Sequence, residues 1–153
     1  MPAASSCTHP KRILVVDDDP VVRQMLARVL VESGYHAVAV ATGSEAIEAL
    51  GDLGSVDVAL VDVELPGESG WTTLAAMRRQ VPALTAIIIT AWPHQQAAAR
   101  EAGASGCFEK PLDFAGLLLA IDRAIEAQLA GSADARGSTI QGSPPSPTFH
   151  CHE

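Results

Sequence analysis

Five short apolar runs, separated by segments of helical periodicity, constrain the fold of this chain more than any other feature. Unbroken apolar runs of this length are typical of strands covered on both faces, because a strand with one solvated face alternates polar and apolar residues. The runs are ILVV at 13–16, AVAV at 37–40, VALV at 58–61, AIII at 86–89 and a weaker CFE at 107–109. They predict five buried, parallel strands.

Helical segments connect these strands. After the first run, apolar residues recur on one helix face until Ser33 and Gly34, where the glycine has its usual place after a helix. A second helix is predicted to begin at Thr42, since TGSE has the spacing of a capping box. Five strands alternating with five helices indicate an α/β fold, a doubly wound five-stranded parallel sheet with helices on both faces. The commonest such sheet is flavodoxin-like, with strand order 2-1-3-4-5, and it binds ligands beyond the carboxyl ends of strands 1 and 3.

Length, composition and charge narrow the possible functions. A chain of 153 residues that is 48% hydrophobic suits one domain. We predict a flexible segment at 1–10, the domain at 11–130 and a disordered tail, rich in Gly, Ser and Pro, at 131–153. The net charge of -8 disfavours nucleic acid and anionic membranes as partners. No apolar run has the length of a signal peptide core or a membrane span, which predicts a cytoplasmic protein.

The three cysteines do not indicate a disulfide framework. Their number is odd, and Cys7 and Cys151 lie in the terminal segments, so reduced thiols are expected. Neither the residues around Cys7 nor those around Cys151 have the paired ligand spacing of a structural zinc site.

Polar residues stand at the carboxyl ends of four predicted strands. They are Asp17, Asp18 and Asp19 after the first strand, Asp62 after the third, Thr90 after the fourth and Lys110 after the fifth. Converging carboxylates need a cation, and oxygen ligands of this kind suit Mg²⁺, so Asp17, Asp18 and Asp62 are the candidate ligands. A hydroxyl and an ammonium beside a carboxylate would also serve a phosphorylated aspartate, whose phosphoryl oxygens must be neutralised.

Asp19 has a structural interpretation. It precedes Pro20, which favours the first position of a helix, so its side chain is predicted to cap the first helix. The alternative for the whole triplet is that all three aspartates are turn and cap residues.

Four motifs in order resemble the receiver domain of two-component response regulators. They are VVDD at 15–18, LVDVELPGESG at 60–70, IIITA at 87–91 and EKPL at 109–112, and the resemblance covers roughly residues 11–130. It implies a phosphoryl group transferred to Asp62 from a sensor histidine kinase or a histidine phosphotransfer protein. It also implies Mg²⁺ bound directly by Asp18, mainly through water by Asp17, and by Asp62 and the backbone carbonyl of Glu64.

The resemblance also assigns the switch and the output. Lys110 is expected to offset charge on the phosphoryl oxygens, and Thr90 to turn inward toward them, so that a protein-binding surface changes. The family usually has Tyr or Phe three residues before the lysine, where this chain has Cys107. That departure puts the usual aromatic coupling in doubt, but not the phosphorylation.

Two other readings of the residues stay open. In the first, the chain is a haloacid dehalogenase-like phosphatase with Asp17 as nucleophile and Asp19 as acid, although a further acidic motif after Lys110 is not recognisable. In the second, it is a receiver-like interaction module without phosphorylation, which the complete set of polar residues argues against. The receiver interpretation predicts a stand-alone domain without an output domain. It would not be an enzyme, apart from its own phosphorylation and dephosphorylation, and would signal to an unknown downstream protein.

Overall fold

The computed structural model of the protein describes residues 10–137 and 150–152. Five helices alternate with the strands along the chain, as predicted. The strands of the main sheet are β1 (Arg12–Val16), β2 (His36–Val40), β3 (Val58–Asp62), β6 (Ala86–Thr90), β7 (Gly106–Glu109) and β8 (His150–His152). The helices are α1 (Pro20–Glu32), α2 (Gly43–Leu53), α3 (Gly70–Gln80), α4 (Gln96–Glu101) and α5 (Phe114–Gly137).

The main sheet is parallel, and its first five strands have the predicted order. They run β2-β1-β3-β6-β7, which is the order 2-1-3-4-5 when these strands alone are counted along the chain. Val16 of β1 pairs with Val61 of β3, and Asp62 pairs with Ile89 of β6. The carboxyl ends of β1, β3 and β6 therefore meet at one edge of the sheet.

Two apolar layers explain why the strand sequences are unbroken. Successive side chains of a strand point to opposite faces. Leu14 and Val16 accordingly join one cluster with α2, α3 and α4, while Ile13 and Val15 join the other with α1 and α5. Both β3 and β6 are buried along their whole length, so neither face leaves room for a polar position until the strand ends.

A short hairpin, which the sequence analysis did not predict, follows β3. Its strands are β4 (Glu64–Leu65) and β5 (Glu68–Ser69), and they pair antiparallel. Gly67 has a φ of 76°, a left-handed conformation that glycine adopts without steric cost. The hairpin leads the chain from the end of β3 into α3.

The predicted helix starts are confirmed. Asp19 is the N-cap of α1, where its side chain accepts a hydrogen bond from the Val21 N–H, and Pro20 follows it. Thr42 is the N-cap of α2 and accepts from the Glu45 N–H. Asp19 is thus a capping residue, as the sequence indicated.

The C-terminal segment differs from the expectation of a disordered tail beginning at Gly131. Helix α5 continues to Gly137, because the sequence AGSADARG contains no proline and retains helix-forming alanines. Residues 150–152 form a sixth parallel strand, β8, beside β7. The edge of β7 offers unpaired backbone groups to any nearby strand, which apolar periodicity in the tail could not reveal. The predicted segment 1–10 lies outside the described residues except for Pro10, as does 138–149 of the tail.

Among the described residues, no helix is long and apolar enough to cross a membrane.

Candidate functional site

Asp62, the last residue of β3, lies at the centre of the site. Its side chain is nearly buried, and both carboxylate oxygens are held. Oδ1 accepts the Glu64 N–H at 3.0 Å, and Oδ2 accepts the Lys110 ammonium at 3.0 Å. Burial raises the pKa of the Asp62 carboxyl and the Asp17 charge adds to the rise, while the two hydrogen bonds oppose it without cancelling it. These two hydrogen bonds orient the carboxylate at the end of a buried strand.

The carboxylates that follow β1 lie beside Asp62. Asp17 is fully buried, and its Oδ1 accepts the Asp19 N–H at 2.9 Å. Asp18 is exposed. One carboxylate oxygen from each of Asp17, Asp18 and Asp62 lies within 4.8 Å of the others. The three predicted metal ligands are therefore brought together.

Lys110 is the cation that contacts this cluster. It follows β7, and its Nζ lies 2.8 Å from Asp17 Oδ2 and 3.0 Å from Asp62 Oδ2. Although burial lowers the pKa of the Lys110 ammonium, its hydrogen bonds to the two carboxylates raise that pKa above its usual value. The ammonium links the buried carboxylates of Asp17 and Asp62, whereas the exposed Asp18 has no direct contact with Lys110.

Thr90 ends β6, the strand next to Asp62, and its side chain is fully buried. Its hydroxyl oxygen accepts the Trp92 N–H at 2.9 Å, which holds the start of the following loop. Asp62 pairs with Ile89, so Thr90 lies one residue further toward the carboxyl end. The structure places Thr90 at the predicted edge, with its hydroxyl bonded to the loop.

Glu64 contributes its backbone to the site. It begins β4, and its N–H donates to Asp62 Oδ1, while its side chain is exposed. The metal-binding role expected for its carbonyl stays a prediction.

Two residues that the sequence analysis did not single out support the site. Arg23 Nη1 donates to the carbonyl oxygens of Asp17 and Asp18, each at 2.9 Å, and so fixes the loop after β1. Gly70 starts α3 against the end of β3. A Cβ there would lie 2.7 Å from Val63 Cα and closer still to the Asp62 carbonyl oxygen. Gly70, the last residue of LVDVELPGESG, was a possible signal of this site in the sequence. Arg23 was not, because an arginine one turn into a helix is too common to indicate a role.

The donor chemistry of the cluster fits a hard divalent cation. Three carboxylates converge, and the one ammonium that contacts them in the described structure pairs with two, so negative charge remains in excess. Carboxylate oxygens are the ligands that Mg²⁺ prefers, often together with water and phosphate oxygens. The exposed Asp18 leaves the cluster open to solvent, which a cation that keeps several waters requires.

Comparisons with known families and relatives agree with this geometry. The family model of the response regulator receiver domain matches residues 13–122. The chain is 35% identical over 115 residues to the DNA-binding transcriptional regulator NtrC of Escherichia coli K12, with 74% of this chain and 24% of that protein covered. It is 33% identical over 121 residues to the transcriptional regulatory protein PdtaR of Mycobacterium tuberculosis, with 76% of this chain and 57% of that protein covered.

Solved structures show the same fold. A CheY-like receiver domain protein of Methanospirillum hungatei has a TM-score of 0.74 and 26% identity, with 80% of this chain and 99% of that chain covered. The response regulator TrrA of Thermotoga maritima, in complex with Mg²⁺ and BeF, has a TM-score of 0.68 and 31% identity, with 74% and 98% covered. The chain spans less than two thirds of the length of the curated relatives named above.

Proposed function

Because this chain belongs to the response regulator receiver domain family, whose members are phosphoacceptors in two-component signalling, we propose that Asp62 is its phosphorylated residue. The observation that supports this assignment is the setting of the Asp62 carboxylate. It ends a buried strand, both oxygens accept hydrogen bonds, and it lies within 4.8 Å of the Asp17 and Asp18 carboxylates. Of the three aspartates in this cluster, Asp62 is the one that is itself the last residue of a strand.

The proposed reaction transfers a phosphoryl group from nitrogen to oxygen. A carboxylate oxygen of Asp62 attacks the phosphorus of a phosphohistidine, the P–N bond breaks, and the imidazole nitrogen takes the electron pair. The product is an acyl phosphate on Asp62. Lys110 already contacts Asp62 Oδ2, so its ammonium is placed to bind the phosphoryl oxygens and to stabilise their negative charge. Glu64 N–H keeps the other carboxylate oxygen oriented during the transfer.

Mg²⁺ is the proposed cofactor. Asp17, Asp18 and Asp62, with the backbone carbonyl of Glu64, would hold it, and when bound it neutralises charge on the phosphoryl oxygens. Arg23 supports this role from the protein side, because its bonds to the carbonyls of Asp17 and Asp18 keep both residues beside Asp62.

Thr90 is the proposed switch residue. Its hydroxyl oxygen accepts a hydrogen bond from the Trp92 N–H, and a phosphoryl group on Asp62, on the neighbouring strand, would offer a charged acceptor to which the Thr90 O–H can donate. Charge-assisted hydrogen bonds are roughly twice as strong as neutral ones, so the hydroxyl is expected to turn inward. Such a turn releases the Trp92 N–H and changes the loop between β6 and α4.

The partners follow from this role. We propose that the phosphoryl donor is a sensor histidine kinase or a histidine phosphotransfer protein, and that a protein receives the signal. The net charge of -8 argues against direct contact with nucleic acid or an anionic membrane. A cytoplasmic location agrees with a donor of this kind.

The phosphatase alternative has less support. It requires Asp19 as a general acid, but the Asp19 carboxylate caps α1 through the Val21 N–H. The module without phosphorylation is equally disfavoured, because the acceptor, the lysine and the acidic pair are all assembled.

Labelling with acetyl phosphate and Mg²⁺ tests the assignment. We expect an alkali-labile phosphate that peptide mass spectrometry places on Asp62 and that Asp62→Asn abolishes. Asp52→Asn, the same chemical change at an exposed position of α2, is the matched control and should leave labelling intact. A label on Asp17 would support the phosphatase reading instead.

A further inference from the structure

Helix α4 follows the loop that is bonded to Thr90, and its first end has no side-chain cap. Its six residues are too few for a helix that is stable by itself, so α4 depends on its surroundings. Gln95 is in the N-cap position but makes no capping hydrogen bond, and its side-chain amide donates instead to the Pro93 carbonyl oxygen at 3.3 Å. His94 has a φ of 61°, a left-handed conformation that is uncommon for residues other than glycine.

The other end of α4 is held by Arg78, which lies in the last turn of α3. Arg78 Nη1 donates to the carbonyl oxygen of Ala102, the C-cap residue of α4, and Nη2 donates to the Gly103 carbonyl oxygen at 2.8 Å. Carbonyl groups at the end of a helix lack partners within the helix and carry partial negative charge, which a cation complements. Because the guanidinium donors have a fixed planar arrangement, two such bonds fix orientation as well as distance.

Gly103 leaves the space that this contact needs. Its φ of 79° is a left-handed conformation that glycine adopts without steric cost. A Cβ at this position would collide with Arg78 Nη1. Burial lowers the pKa of the Arg78 guanidinium, and the two carbonyl oxygens offset the cost of removing that charge from water.

The two ends of α4 therefore have separate connections to the candidate site. The first end follows the loop at 91–95, which the Thr90 hydroxyl holds through the Trp92 N–H. The second end is bonded to α3, and α3 begins at Gly70, whose N–H donates to the Val63 carbonyl oxygen beside Asp62. The loop bond is the one that the proposed turn of Thr90 breaks, whereas the bonds of Arg78 do not involve Thr90.

We propose that Arg78 is a positioning residue that fixes the C-terminal end of α4, so that α4 pivots about this end when Thr90 turns toward a phosphoryl group. The proposal rests on the proposed function of Asp62 and Thr90. Release of the Trp92 N–H then moves the loop at 91–95 and the first turn of α4, while Ala102 and Gly103 stay bonded to α3. The surface that changes is the loop, where the side chains of Trp92 and His94 are exposed.

Amide hydrogen exchange in the full-length protein without a phosphoryl mimic tests the anchor. The N–H groups of Ala102, Gly103 and Ala104 donate to carbonyl oxygens of α4, so they report on opening of this end. We expect Arg78→Met to raise their exchange rates about tenfold, because local opening is no longer opposed by the guanidinium. Arg79→Met removes the same charge from the exposed neighbouring position and should leave the rates unchanged.

A lysine variant keeps the test possible if Arg78→Met does not fold. Arg78→Lys retains a cation but not the planar pair of donors, and we expect a smaller rise in the same exchange rates, about threefold. Wild-type rates in the folded variant, Met or Lys, would overturn the anchor whether or not Asp62 accepts a phosphoryl group.

The pivot is tested by NMR with beryllium fluoride and Mg²⁺, through a ratio that a loss of stability alone would not change. In wild type and Arg79→Met, we expect amide signals at 91–96 to shift about threefold more than those at 102–104, as for motion about a hinge. In Arg78→Met the two sets should shift about equally. Equal shifts in wild type, or the wild-type ratio in Arg78→Met, would overturn the pivot. A wild type without any response, and without labelling of Asp62, would refute the proposed function and the pivot with it, whereas the exchange result on the anchor would stand.

Discussion

Replacing Asp18 by asparagine should stabilise the metal-free protein. Its carboxylate has an oxygen within 4.8 Å of both Asp17 and Asp62, while Lys110 contacts only the latter two. At that distance each repulsion amounts to about 0.9 kcal/mol in a solvent-like dielectric. The Asp18 carboxylate is repelled in this way by both Asp17 and Asp62. Its attraction to Lys110 and the screening of its exposed side chain by solvent offset part of these two repulsions. We expect a net gain of about 1 kcal/mol in the free energy of unfolding.

The same substitution should remove the response to magnesium. A ligand that binds only the folded state stabilises it by mass action, and Asp18 is the exposed carboxylate through which the cluster meets solvent. Urea unfolding with and without MgCl₂ measures both effects, and thermal melting should show a rise of about 3–4 °C in the metal-free variant. Wild type should gain stability with Mg²⁺, and Asp18→Asn should not.

Asp52→Asn provides the control for a lost surface charge. It removes an exposed carboxylate on α2, away from the cluster, and should change stability by no more than about 0.5 kcal/mol while keeping the Mg²⁺ response. If Asp18→Asn lowered the stability of the metal-free protein, repulsion within the cluster would be refuted. An undiminished Mg²⁺ response in Asp18→Asn would exclude Asp18 as a ligand.

Three further changes test the supports of the site. Lys110→Met leaves two buried carboxylates without their ammonium and should lower the free energy of unfolding, measured in urea, by about 2 kcal/mol, allowing for partial exposure of Lys110. Mg²⁺ should restore part of this lost stability, and an unchanged stability in Lys110→Met would contradict the pairing. Gly70→Ala places a methyl group against the backbone at the end of β3 and should destabilise by about 1–3 kcal/mol with slower labelling. Gly51→Ala, inside α2, would bring its methyl group only into ordinary contact with Gln80 Nε2, at 3.7 Å, and should stabilise by about 0.5–1 kcal/mol. Addition of beryllium fluoride with Mg²⁺ should shift the NMR signal of the Trp92 amide in wild type and much less in Thr90→Ala, with Thr90→Ser as the control; an equal shift in all three would remove the hydroxyl from the switch.

Local patterns were sufficient for the elements and their order. Short unbroken apolar runs are typical of strands between two helical layers, and β3 and β6 are indeed buried throughout, while β2 at the edge of the sheet is only partly buried. The caps at Asp19 and Thr42 were equally predictable, since a cap depends on residues within one turn of the helix.

The polar site was predictable in position but not in its contacts. The strand order alone brings the ends of β1 and β3 together, which is why Asp17, Asp18 and Asp62 could be named from sequence. The sharing of Lys110 between Asp17 and Asp62 depends on the path of the chain after β7, and the role of Arg23 depends on the loop after β1. Both contacts arise from three-dimensional placement, which composition and periodicity do not contain.

The sequence by itself thus determined the α/β class, the order of the first five strands of the main sheet and the edge at which the polar residues gather. Each of these follows from interactions between near neighbours in the chain or from the general rules of parallel sheets. Only the tertiary structure decided the pairing of β8 with β7, the hairpin after β3 and the close approach of Gly70 to Asp62. The reason is physical: an open sheet edge accepts almost any strand, because backbone hydrogen bonds carry no side-chain signature, and close packing depends on atoms far apart in the chain.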